Sequence, residues 1–145
     1  MDVGCYCISG LRLVAGEPER ARGEQVVGPS GVDVIFTGAL VFADEVLGHF
    51  DCGFIVPRRA ALEVVGDEAT ILVPDPFTPR IPGIEVLRPS DEPEKIPIEP
   101  ANSYRLELEN VSAAIRGEVS LLLSREDAVS QARTIDELYR SAAAG

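Results

Sequence analysis

The sequence is short of positive charge, histidine, cysteine and long apolar runs, and each shortage excludes something. One lysine, Lys95, and twelve scattered arginines stand against 24 acidic residues, for a net charge of −11 at pH 7. Phosphate backbones are gripped by clustered Lys and Arg, so nucleic acid is excluded as a partner. No apolar run approaches the roughly 20 residues of a membrane span and nothing resembles a signal peptide, which points to a cytoplasmic protein with no membrane partner. The three cysteines are an odd number in a chain large enough to need no staples. Cys5 and Cys7 look like a ligand pair, but on a helix they sit about 200° apart and can neither pair nor share a metal. They read as reduced thiols used as small hydrophobes, with no metal site. The single His49 has no histidine partner and reads as structural on a strand beside Asp51. There is no G-x-G-x-x-G, P-loop, HExxH or G-x-S-x-G, so no self-sufficient active site is visible and no cofactor site is expected in this chain.

What is present fits one domain, residues 1–145, with ordinary hydrophobic (46%) and charged (26%) fractions. The chain is organised around its first sixteen residues, MDVGCYCISGLRLVAG. Val3, Cys7, Leu11 and Val14 recur at helical spacing and predict the buried stripe of an opening helix, 1–16. Gly16 and Pro18 supply its stop. On another face Asp2 and Tyr6 stand at i and i+4, a carboxylate and a phenol one above the other. Gly4 and Gly10 each cost about 1 kcal/mol against alanine, a cost usually offset by close packing on bare backbone. With no cap before it, the helix reads as a segment cut from something longer.

A sheet follows over 20–99. Arg22–Val27 reads as a strand ended by Gly28-Pro29-Ser30-Gly31. Val32–Val56 reads as a long hairpin turning at Ala43-Asp44-Glu45. Phe36, Leu40, Phe42, Phe50, Cys52 and Phe54 share the bulky face of that hairpin. Thr37, Ala39, Ala43, His49, Asp51 and Gly53 make the other face flat. Ala61–Val65 and Ala69–Val73 form a second hairpin across Gly66-Asp67-Glu68, and Ile84–Leu87 and Lys95–Ile98 are shorter strands. The proline-rich stretches Pro74–Gly83 and Arg88–Pro97 read as loops or sheet edges.

The last third, 103–144, is helical. Tyr104, Leu108, Val111 and Ile115 form one stripe between an Asn102 or Ser103 cap and Gly117. Ser124 to Asp127 has the form of a capping box, opening a helix with Ala128, Ala132, Ile135, Tyr139 and Ala142 on one stripe and Gly145 at its end. The order predicts an α+β domain: an open, antiparallel-rich sheet with its helices on one face.

The opening stretch MDVGCYCISGLRLVAGEP resembles the start of the C-terminal domain in the glucose–fructose oxidoreductase / inositol dehydrogenase (Gfo/Idh/MocA) family. The likeness continues through GHFDCGF, LEVVGDEATILVPDPF and YRLELENVSAAIRGE to LLLSREDAVSQARTIDELYRSAAAG, five segments in order over nearly the whole chain. Val111 departs from the phenylalanine often found there, which touches packing rather than chemistry. The resemblance implies a dihydrodipicolinate-reductase-like or glyceraldehyde-3-phosphate-dehydrogenase-like C-terminal domain. It also implies a parent whose N-terminal Rossmann domain, absent here, binds NAD or NADP and carries a catalytic lysine.

By the same resemblance, Asp2 orients the hydroxyl of a sugar or polyol substrate and Tyr6 transfers the proton, in a family pattern of Asp-x-x-x-His in which Tyr replaces His in some branches. Hydride removal from a carbinol carbon requires a base at its hydroxyl. A phenol, with a pKa of about 10, serves at neutral pH only beside a cation, a part the missing domain's lysine fits. Self-association through the flat sheet face is expected as well. The alternative is a stand-alone, non-catalytic binding or assembly domain using that same face.

Overall fold

The computed structural model describes residues 1–77 and 83–144. The middle of the first proline-rich stretch, Thr78 to Pro82, and the expected helix stop at Gly145 lie outside the described residues. The class is α+β, with three helices and two antiparallel sheets among the described residues, and contacts gather the chain into two compact units, residues 1–57 with 123–145, and 58–122.

The first unit holds α1 (Gly4–Ala15), β1 (Arg20–Val27), β2 (Asp33–Val41), β3 (Leu47–Gly53) and α3 (Arg125–Ala144). The strands form a meander in the order β1-β2-β3, with Phe36 opposite both Gln25 and Cys52, and Ala39 opposite both Arg22 and His49. Gly31 reaches φ +81° in the first turn, while Asp44 and Glu45 take left-handed φ in the short 3-10 turn Ala43–Glu45. As the alternation predicts, Phe36, Leu40, Phe42 and Phe50 are buried, and Thr37, Ala39, His49 and Asp51 face outward. Phe54 lies past the end of β3 and is 56% exposed, so it leaves the core face assigned to it.

Both helices of this unit cover the bulky face. Ile8 of α1 and Leu138 of α3 are fully buried with Phe36 and Leu40, and Tyr139 sets its ring edge-on to Phe36 with centroids 5.4 Å apart. Close approach is needed where α3 meets β1. A Cβ built on Gly23 would stand 2.7 Å from the Phe36 ring and 2.9 Å from the Leu138 carbonyl oxygen. The outer edge of β1 is not left open, since Ala21 N–H donates to Glu137 (3.0 Å) and Gly23 N–H donates to Ser141 (3.3 Å). Two side chains one helical turn apart thus satisfy backbone donors that a sheet edge would otherwise present.

The helical stripes are rotated from their expected settings. In α1 the buried positions are Gly4, Ile8 and Arg12, with Cys7, Leu11 and Ala15 beside them, and Val14 is half exposed. Hydropathy cannot anticipate an arginine in a buried row. In α3 the buried positions are Thr134 and Leu138, flanked by Ile135, Tyr139 and Ala142, while Ala128 and Ala132 are exposed. Thr134 tolerates burial because its hydroxyl donates to the Ser130 carbonyl at 3.1 Å.

The second unit holds β4 (Ala61–Val65), β5 (Thr70–Pro74), β6 (Gly83–Leu87), β7 (Glu94–Pro97) and α2 (Ser103–Ile115). The strands are again a meander, β4-β5-β6-β7. Leu62, Val64, Ile71, Val73, Ile84 and Val86 share one face, and Glu85 meets Lys95 across strands on the other at 3.7 Å. Asn102 caps α2 by accepting from Arg105 N–H, and Gly117 follows it with φ +76°. The expected stripe of Tyr104, Leu108, Val111 and Ile115 is present in the helix but exposed, and no residue of α2 is buried.

Gly23→Ala is expected to destabilise the chain by about 1–3 kcal/mol, because the new methyl must displace either the Phe36 ring or the α3 backbone. Urea unfolding reads this directly, and an unchanged midpoint would show that β1 and α3 can part without loss.

Candidate active site

The site begins with the uncapped start of α1. Val3 occupies the N-cap position in helical φ/ψ and makes no side-chain cap bond. Asp2 therefore lies just before the helix and Tyr6 in its first turn, both exposed, Tyr6 at 54%. The Asp2 carbonyl accepts from the Cys5 thiol at 2.8 Å, which holds the chain in a turn ahead of the helix. Tyr6 thus stands on the open side of the element whose other side enters the core, with Asp2 exposed just ahead of it.

That other side is anchored at three levels. At Gly4, a Cβ would stand 2.8 Å from Cys52 Sγ and 2.7 Å from the Met1 side chain, so β3 packs on bare backbone. At Met1 the backbone nitrogen donates to Tyr139 Oη, and Tyr139 in turn donates to Asp33 at 2.7 Å. Burial, followed by the hydrogen bond to Asp33 and that carboxylate's charge, pushes the Tyr139 phenol well above its ordinary range, so it remains a donor.

At Arg12 the guanidinium, 4% exposed, donates to Glu17 through Nε (3.2 Å) and Nη2 (2.5 Å), to Asp127 through Nη2 (2.9 Å) and to Gln131 through Nη1 (2.9 Å). Hydrogen bonding to Glu17, then the Glu17 and Asp127 charges, raise its pKa further against the opposing effect of burial. Gln131 continues the chain by donating its amide to the Cys5 carbonyl at 2.7 Å.

Sequence reading names Asp2 and Tyr6 as candidates and does not anticipate Arg12, Gln131 or the Tyr139–Asp33 pair behind them. The available signal was Arg12 itself, four residues after Ile8 on the buried row, with a carboxylate five residues on. Asp127 was read as part of a capping box. Its N–H does donate to the capping Ser124 Oγ at 3.1 Å, but its carboxylate goes to Arg12.

The cysteines are free and half-buried. Burial is the largest cause raising both Cys7 and Cys52, the latter to about 11, with Asp51 adding to each. Neither is a nucleophile at neutral pH. Among the described residues no three His, Cys, Asp or Glu side chains are grouped to hold a metal. No helix among them is long and apolar enough to cross a membrane.

With this geometry in view, residues 1–72 match the GFO/IDH/MocA C-terminal domain. The chain belongs to the Gfo/Idh/MocA family. It is 28% identical over 148 residues to the D-xylose 1-dehydrogenase (NADP(+)) 2 of Haloferax volcanii, covering 100% of this chain and 46% of that protein. Among solved structures it is similar to the aldose-aldose oxidoreductase of Caulobacter crescentus, crystallised with glycerol (TM-score 0.86, 18% identity, 98% of this chain and 44% of that one). A variant of a 3-ketoreductase from Actinomadura kijaniata, in complex with TDP-benzene and NADP, is similar too (TM-score 0.79, 20% identity, 97% and 46%). At such identities the structures speak for the fold alone. The chain spans about half the length of these relatives.

Arg12→Met keeps much of the apolar stem and removes the cation from Glu17, Asp127 and Gln131. Breaking a buried pair costs about 3–5 kcal/mol. Glu17 and Asp127 are 58% and 35% exposed and can rehydrate, so a loss at the low end, about 3 kcal/mol, is expected in urea unfolding. A loss below about 1 kcal/mol, the scale of an exposed pair, would show that this network is only a surface interaction.

Proposed function

We propose that this chain is the substrate and assembly half of a two-domain NAD(P)-dependent oxidoreductase acting on a sugar, polyol or related hydroxyl compound, in the cytoplasm. The observation that carries the reading is the exposure of Tyr6, in the first turn of a helix whose opposite side is fixed to the core, with Asp2 exposed just ahead of that turn. Support comes from the family and from relatives whose names state dehydrogenase or oxidoreductase activity.

The dinucleotide is the hydride acceptor in this reading, and it belongs to the other half of the protein. Residues here do not suit it, because none of the three helices among the described residues follows a strand through a glycine-rich turn. What this chain supplies is the handling of the substrate hydroxyls. Tyr6 Oη accepts the proton leaving the reacting hydroxyl, and returns it in the reverse direction. The Asp2 carboxylate accepts a hydrogen bond from a neighbouring hydroxyl and so fixes which carbon presents its hydrogen. A cation from the other half, beside the phenol, would let it act as a base near neutral pH. Alone, the chain would bind no NAD(P)H and turn over nothing.

In the two-domain protein, Tyr6→Phe should lower kcat by about 10²–10⁴-fold and leave cofactor affinity nearly unchanged. Steady-state kinetics with NAD and NADP and a panel of aldoses and polyols test this. Full turnover by Tyr6→Phe would remove the proton-transfer assignment.

The outer face of β1-β2-β3 suits association with a second copy. Its middle rows, Arg22-Ala39-His49 and Glu24-Thr37-Asp51, are exposed, low in relief and mixed in charge. Such faces stack about 10 Å apart. Ala39→Glu should give a folded monomer by light scattering where the unmodified chain is a dimer or larger. An unmodified chain that stays monomeric at high micromolar concentration would overturn the assembly reading.

A further inference from the structure

We propose that Gln131 is a positioning residue for the proton-transfer group, holding the first turn of α1 by its carbonyl so that Tyr6 is presented at a fixed reach. The inference rests on the reading of Tyr6 given above. Gln131 lies on α3, with its side-chain oxygen 2.9 Å from Arg12 Nη1 and its nitrogen 2.7 Å from the Cys5 carbonyl oxygen. Neither bond can be exchanged for the other. A guanidinium has only donors and a carbonyl only lone pairs, so the carboxamide is fixed end for end. Arg12 is held in its turn by Glu17 and Asp127, so the amide is clamped on one side before it reaches Cys5.

What it clamps is the turn that carries the chemistry. Cys5 directly precedes Tyr6, and its thiol bonds back to the Asp2 carbonyl. A helix start normally relies on a cap to stop it fraying, and Val3 supplies none. Gln131 takes over part of that duty from a distance of 126 residues in sequence. The contact falls on the carbonyl of the residue beside the proposed base, which is where a small displacement changes the reach of a phenol oxygen most directly. A misplacement of about 1 Å can cost on the order of 10²-fold in rate.

Two variants separate positioning from simple stability. Gln131→Glu keeps an acceptor for Arg12 and replaces the donor facing the Cys5 carbonyl with another acceptor. Gln131→Met removes both bonds at similar length. In the two-domain protein, each is expected to lower kcat by about tenfold or more with the KM for the dinucleotide unmoved. In a Tyr6→Phe background, Gln131→Glu should cost less than about twofold further, since a residue acting through Tyr6 has nothing left to position. In the 145-residue chain by itself, hydrogen exchange of the amides of residues 8–10, which bond back to the first turn, should quicken in both variants, while the strand amides keep their protection.

A Gln131→Glu enzyme with unchanged kcat overturns the inference. So does an equal loss in the presence and absence of the Tyr6 hydroxyl, or exchange that quickens uniformly across the chain, because each marks a merely structural role. Full turnover by Tyr6→Phe alone overturns the reading underneath. That result is distinct from an impaired Tyr6→Phe beside an unaffected Gln131→Glu, which sinks only the Gln131 assignment.

Discussion

The arrangement of the first unit depends on one buried cation. A guanidinium does not give up its proton in a protein, so Arg12 must be met by acceptors wherever it is buried. Glu17 is close in sequence, but Asp127 and Gln131 are more than a hundred residues away, on α3. Satisfying Arg12 therefore requires the two ends of the chain to meet. The sheet between them offers a face of Phe36, Leu40 and Phe50 that either helix could cover. Apolar burial supplies the driving force and is indifferent to register. The fork of Arg12 is not, because each nitrogen must find an oxygen, and it selects one setting of α1 along α3.

This explains which features were legible in the sequence. The turns at Gly28–Gly31, Ala43–Glu45 and Gly66–Glu68, the Asn102 cap and the alternation through Phe36–Leu40 rest on local chemistry, and the structure follows them closely. The helical stripes were harder. In α1, apolar periodicity favours Val3, Cys7, Leu11 and Val14, yet the buried row contains a glycine and an arginine. Gly4 is buried because β3 needs the space, and Arg12 because distant carboxylates accept it. Both causes are tertiary, so no window of local hydropathy contains them. The same holds for Glu137 and Ser141, two ordinary polar residues on paper that close the edge of β1.

Of the candidate site, Asp2 and Tyr6 came from a spacing and a family likeness, while the residues that support them came only from the fold. The asymmetry has a physical origin. The two groups proposed to meet a substrate lie at the surface within one short stretch, so their spacing is written in nearby residues. Groups that support them span elements, and Tyr139–Asp33 and Gln131–Cys5 are separated by 106 and 126 positions. The exposed stripe of α2 is the converse case. Its periodicity reads as a core face, yet all four residues are at the surface of the chain. Period alone specifies that a face is apolar, not what covers it.

A helix start is an unpromising place for a proton-transfer group. Its first four N–H groups lack partners within the helix, and the turn opens readily unless something beyond the helix restrains it. Here the restraint is applied from the opposite side. Gly4 sits against Cys52, Cys5 is held by Gln131 through its carbonyl, and Ile8 is enclosed by the core. Residues 4 and 8 share a row, and Tyr6 lies midway between them, about 200° around the helix from each. Whatever fixes that row therefore fixes the direction of the phenol without occupying the space a substrate would need. A side-chain cap at Val3 would have stabilised the same turn, but it would have placed a polar group on the helix end beside Asp2. Anchoring the turn from behind leaves that end clear for the substrate hydroxyls of the proposed reaction.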